Sequence, residues 1–185
     1  ILYRCDINHL PARLQRLHCI DFHDYPKLIG QTFPEKQDTS VPTEDEKTII
    51  NDLISRGKFI DAVAEGRKYL VRGEFANSLA VLEYMKDTAD KTHRDYYIIL
   101  GNIAYNLIHL GDDEGALKYL EHVEKLCPVP FFPWHATARA VAYLHLGNEE
   151  ECVKWLRYAE SHKDYDETET RKHYPELTPY ISGKK

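Results

Sequence analysis

No run of about 18 apolar residues occurs in this chain of 185 residues, so no segment is expected to span a membrane as a helix. Positive charge is in short supply. Lys and Arg number 24 against 30 Asp and Glu, a formal net charge of -6, and a nucleic-acid binder would need the opposite balance. The four cysteines, Cys5, Cys19, Cys127 and Cys152, are too few for a disulfide scaffold in a chain of this size, so an intracellular, reducing compartment is the simpler expectation. Ile1 opens no signal-peptide pattern, which points to a trimmed chain or a targeting segment already removed. Signatures of catalysis are also missing: there is no Gly-rich phosphate loop, no GxSxG elbow and no HExxH helix. Asp164, Asp166 and Thr168 begin a calcium-loop pattern, but Glu169 stands where its turn needs glycine. No segment alternates with period 2 as a half-buried strand would. An enzyme is therefore not expected.

What is present fits one globular unit. Hydrophobic residues make up 43% of the chain and charged residues 29%, enough to bury a core without covalent staples. Histidine is plentiful, at 10 residues, and protonation of most of them near pH 6 would cancel much of the negative charge.

Short Gly-centred turns recur at Gly57, Gly73, Gly111 and Gly147, with apolar-periodic stretches of helical length between them. The pattern predicts helices over 44–56, 59–71, 75–89, 94–110, 113–126, 133–146 and 149–161. Thr43 and Glu46 form a capping-box pair ahead of the first. Pro128 and Pro130 end the fifth, Pro133 suits the first position of the sixth, and Glu149, Glu150 and Glu151 favour the positive end of the seventh. Helices joined by two or three residues pack antiparallel, and a string of such hairpins makes a solenoid.

Aligned on the turn glycines, the units share small and large positions. Gly66 and Tyr69 precede Gly73, with Phe75, Ser78 and Leu82 after it. Ala104 and Leu107 precede Gly111, with Ala116, Leu120 and Val123 after it, and Ala140 and Tyr143 precede Gly147, with Cys152, Leu156 and Ala159 after it. Small residues recur where two helices cross closely. Over about 44–162 the chain resembles the tetratricopeptide repeat family, whose pattern places small residues at these crossings. The resemblance implies an all-α fold, a right-handed superhelix of antiparallel helix hairpins. Its domains would be an amino-terminal segment 1–43 with a short helix and Pro-rich linker, the repeat domain 44–162 and a capping tail 163–185. Three hairpins behind one leading helix are expected. Two departures stand out. The turn glycines Gly73, Gly111 and Gly147 lie 38 and 36 residues apart, against about 34 in the family. The family's first-helix Trp is replaced by Ala62, Leu100 and Ala136.

The resemblance also implies a groove, lined by the first helices of the hairpins, that holds a protein or peptide partner. Its positions carry over to Arg67 in the first unit, to Ile98, Gly101, Asn102, Tyr105 and His109 in the second, and to Trp134, Thr137, Val141 and His145 in the third. The subfamily that clamps chaperone termini needs basic residues where Gly101, Trp134 and Ala138 stand here, so a carboxylate clamp is not expected. Aromatic and imidazole groups suit an apolar helix or extended segment instead, unless Tyr105 and Trp134 are core or lie under the tail.

Residues 1–43 do not fit the repeat. Cys5 with His9 and Cys19 with His23 each pair a thiol and an imidazole four residues apart, the spacing that shares one helix face, and two such pairs would complete a tetrahedral zinc site. Leu10, Leu14, Leu17 and Ile20 share one face of a short amphipathic helix. The expected function is an adaptor or accessory subunit that binds protein through its repeat surface. Two alternatives are a zinc protein working through its amino-terminal segment and a permanent subunit of a large assembly.

Overall fold

The computed structural model describes residues 41–127 and 132–182, and the regular structure among them is entirely helical. The helices are α1 (Glu44–Ser55), α2 (Phe59–Leu70), α3 (Phe75–Thr88), α4 (Tyr96–Leu110), α5 (Asp113–Leu126), α6 (Pro133–His145), α7 (Glu149–Glu160) and α8 (Glu167–His173), followed by a 3-10 helix (Pro175–Tyr180). The expected capping box is present: the Thr43 amide donates to Glu46 Oε2 at 2.7 Å, and the Glu46 amide to Thr43 Oγ1 at 3.3 Å. Asp112 and Asn148 likewise cap α5 and α7, accepting from the amides of Gly115 (2.9 Å) and Glu151 (3.2 Å).

Helix α4 starts two residues later than its periodicity predicts. The Asp90 carboxylate accepts from the Thr92 amide at 2.8 Å and from its hydroxyl at 2.7 Å, a local turn that competes with the helix. The four turn glycines all adopt left-handed backbone, with φ of 70°, 75°, 83° and 78° along the chain. Only glycine adopts that conformation at little cost, so each helix ends where its glycine stands.

Each helix from α1 to α6 packs against its successor, most extensively within the pairs α4–α5 and α6–α7. In addition α2 packs on α4, and α4 on α6. These three helices therefore lie side by side as one layer, with α3, α5 and α7 as their hairpin partners and α1 as a leading helix.

The small positions recognised in the sequence sit at the crossings: Gly66, Ser78, Ala104, Ala116, Ala140 and Cys152 are all buried. A Cβ on Gly66 would come within 3.2 Å of Leu82 Cγ, which shows how closely α2 and α3 approach. Leu82, Met85, Ile103, Leu120 and Leu156 fill the hollows beside them with no exposed surface.

The chain beyond α7 folds back as α8 and the 3-10 helix and reaches further than a cap over the last hairpin. The Tyr180 hydroxyl donates to Glu149 Oε1 at 2.9 Å and the Ser182 amide to Glu160 Oε1 at 2.7 Å, tying it to α7. Tyr174 is buried against the rings of Tyr105 and His109 on α4, 6.0 Å away in each case.

Candidate functional site

Residues of α2, α4, α6 and the carboxy-terminal tail together line a cleft of about 600 Å³. Helix α2 contributes Ile60, Arg67 and Leu70, and α4 contributes Tyr97, Ile98, Asn102 and Tyr105. Phe132, Pro133, Trp134 and Thr137 come from the start of α6. The opposite wall comes from Asp164 to Tyr174, including Tyr165, Glu169 and His173. A volume of this size, apolar with a few polar groups, is typical of a ligand or peptide site.

Gly101 positions the floor. It is buried on α4, and a Cβ there would meet His135 Nε2 at 2.5 Å and Trp134 Cη2 at 2.8 Å. The missing side chain lets the first turn of α6 rest on α4, with the Trp134 and His135 rings 3.7 Å apart between centroids. Trp134 remains 41% exposed and Ile60 69%, so two large apolar side chains stand open to solvent at this cleft. His135 lies fully buried beneath, and that burial pushes its imidazole down to about 3, so it is neutral.

Six of the ten groove positions line the cleft: Arg67, Ile98, Asn102, Tyr105, Trp134 and Thr137. Arg67 is exposed and forms no ion pair among the described residues. Asn102 donates through Nδ2 to the Ile98 carbonyl at 2.8 Å, and Thr137 through its hydroxyl to the Pro133 carbonyl at 2.7 Å.

The other four do not line it, Gly101 being the buried contact with α6 already described. Val141 is wholly buried and has no surface to offer a partner. His109 is sandwiched between Phe75, at 4.4 Å between ring centroids, and Tyr174, and burial lowers its pKa. His145 is an ionic tie: Nδ1 lies 2.9 Å from Asp113 Oδ1 and Nε2 3.0 Å from Glu176 Oε1. Hydrogen bonds to the two carboxylates raise its pKa to about 9, so it is protonated at neutral pH. With His135 moved down to about 3 and His145 up to about 9, the charge change expected near pH 6 loses two of its contributors.

Tyr105, His173 and Glu169 form a hydrogen-bonded chain along the cleft, with the Tyr105 hydroxyl 2.9 Å from His173 Nδ1 and His173 Nε2 3.1 Å from Glu169 Oε2. The pattern looks like a nucleophile, base and orienting acid. These bonds tie α4 to α8, and burial raises the Tyr105 pKa.

Sequence reasoning did not assign Asp164, Asp166, Glu169 and His173 to the site. Which helix layer the tail crosses carries no periodic signal, and Asp164 and Asp166 drew notice only through the failed calcium pattern.

Among the described residues no group of three or more His, Cys, Asp or Glu is arranged to hold a metal. The pairs Cys5–His9 and Cys19–His23 lie outside the described residues. No described helix is long and apolar enough to cross a membrane.

Comparison of the chain with protein-family models, curated proteins and solved structures found no match. The fold itself defines the class: an all-helical protein of stacked antiparallel hairpins, closed on one face by its own carboxy-terminal helices.

Proposed function

We propose that the protein is a tetratricopeptide-like adaptor or accessory subunit that holds a protein segment in the cleft between the α2–α4–α6 layer and α8. The single observation that carries this reading is the exposed pair Trp134 and Ile60 at a cleft of about 600 Å³. Large apolar side chains left open beside polar groups are the usual anchors of a protein contact. Hairpins whose first helices lie side by side agree with the family resemblance, which rests on small residues at the crossings. The reading includes no catalysis, no nucleic acid, no cofactor and an intracellular, reducing location. Cys127 and Cys152 as free thiols are compatible with that location.

The test is capture of partners from a native extract by the wild-type chain beside Trp134→Ala and Ile60→Asp. Both positions are exposed, so circular dichroism should show folded variants. Loss of the same bound protein in both variants, with binding weakened at least about tenfold as for an anchor residue, supports the reading. Undiminished capture by both places binding on another face and overturns it.

A further inference from the structure

We propose that the segment held in the cleft is a basic one, with Lys or Arg side chains interleaved with large apolar ones. This deepens the adaptor reading and rests on the cleft being the binding site.

The ionisable side chains of opposite sign in the lining are unequal in number. Asp164, Asp166 and Glu169 supply carboxylates, while Arg67 supplies a guanidinium and His173 an imidazole. Glu169 is already engaged, 3.2 Å from Lys172 Nζ and 3.1 Å from His173 Nε2. Asp164 and Asp166 are exposed and have no cationic partner among the described residues. Asp166 caps α8 by accepting from the Glu169 amide at 3.0 Å, a bond that leaves its charge uncompensated. An acidic segment would be repelled by these two groups and find Arg67 alone to pair with among the lining residues.

The rings of the cleft are short of a cation too. Tyr97, Tyr105, Phe132, Trp134, Tyr165 and Tyr174 all belong to the lining. Elsewhere the fold supplies aromatic rings with cations of its own: Lys86 lies over Tyr119 at 5.7 Å and Arg139 over Trp155 at 4.3 Å. Among the described residues no cation sits over a ring of the cleft. Unpaired carboxylates and open π-faces in one cleft are the chemistry that receives an ammonium or a guanidinium.

A buried group points the same way. Tyr174 is only 5% exposed, and its hydroxyl has no hydrogen-bond partner among the described residues. An unmatched buried hydroxyl is costly, and its oxygen can accept from the N–H of a Lys or Arg. The apolar half of the requirement comes from Ile60 and Trp134, which a purely polar basic tail would leave uncovered.

The experiment uses the full chain and two libraries of fluorescein-labelled dodecapeptides, alike in their Leu, Phe and Ser. One library carries Lys and Arg at its remaining positions and the other Asp and Glu, and anisotropy at low salt reads the binding. The basic library should yield the binders. The tightest of them should bind about tenfold more weakly to Asp164→Asn/Asp166→Asn, in which asparagine keeps the cap of α8. Trp134→Ala should cost at least about tenfold, whereas Arg67→Gln should tighten binding about twofold. Glu114→Gln/Glu121→Gln removes two carboxylates from α5, outside the cleft lining, and should leave binding unchanged. All of the substituted residues are exposed, and circular dichroism checks the fold.

Binders drawn from the acidic library would overturn the proposal. So would a basic peptide weakened as much by the α5 variant as by the cleft variant, because that is attraction to the net charge of -6 alone. An absence of binders in both libraries would overturn it as well. The adaptor reading is judged separately, by whether capture from the extract depends on Trp134 and Ile60.

Discussion

Replacing Gly101 by alanine sets two effects of known sign against each other. Alanine in a helix interior is favoured over glycine by about 1 kcal/mol, because less backbone freedom is lost on folding. At Gly101 the added Cβ would lie 2.5 Å from His135 Nε2, 2.8 Å from Trp134 Cη2 and 3.1 Å from His135 Cδ2. The His135 ring cannot easily give. His135 is wholly buried, with Tyr97, Phe132 and Trp134 packed around it. Overpacking a tight site costs about 1–3 kcal/mol, and contacts this short belong near the upper end. The net expectation is a loss of about 1–2 kcal/mol, or a Tm lower by about 2–8 °C for a domain of this length. Circular dichroism during thermal unfolding measures it, and Trp134 fluorescence reports whether the floor has shifted. Gly66→Ala is the control: its nearest neighbour is Leu82 Cγ at 3.2 Å, on a flexible side chain that can move by a few tenths of an ångström. It should change stability by less than about 0.5 kcal/mol, the helix gain and the squeeze nearly cancelling. A Gly101→Ala chain as stable as wild type, or more so, would refute the account of why α6 sits so close to α4.

The His145 tie predicts a pH dependence. Its pKa is raised from the ordinary 6.5 to about 9, so its stabilisation is complete below pH 6.5, shrinks above it and is gone once the pH passes 9. A shift of that size corresponds to at most about 3 kcal/mol, reduced to about 1–2 kcal/mol by the solvent still reaching the site. Urea midpoints should therefore fall between pH 6 and 9.5 more steeply in wild type than in His145→Gln, and parallel curves would refute the assignment. Burial pushes the Cys152 thiol up to about 11, so iodoacetamide at neutral pH should leave it unmodified in the folded protein, while half-buried Cys127 reacts; peptide mass mapping separates the two. Asp112→Ala removes the cap of α5 and should destabilise by about 1 kcal/mol in urea unfolding.

The helices were legible because their signals are local. A glycine that must turn left-handed, an Asp or Asn behind it and a threonine with glutamate three residues on each act within one turn of chain. The crossings at Gly66, Ala104 and Ala140 were legible for a related reason: repetition exposed them. The site was only partly readable. Gly101 was read as a groove position missing a basic residue, whereas its function is steric, and no feature of its own segment announces His135 above it. His109 and His145 share the helical phase of the groove positions, yet the tail covers one and pairs with the other. That outcome depends on contacts between residues 31 and 65 positions apart, and short-range pattern does not encode them.

The bonds made by the carboxy-terminal helices have a mechanical consequence. Arrays of helix hairpins bend easily, because each unit touches only its neighbours and small tilts add along the row. Here one strut is fastened to two consecutive units, through Tyr105 on α4 and through His145 and Glu149 beyond it. A strut fixed at both ends sets the angle between the units it joins. This end of the molecule should therefore behave as a stiff bracket, while the row from α1 to α3 keeps the compliance of an unbraced spring.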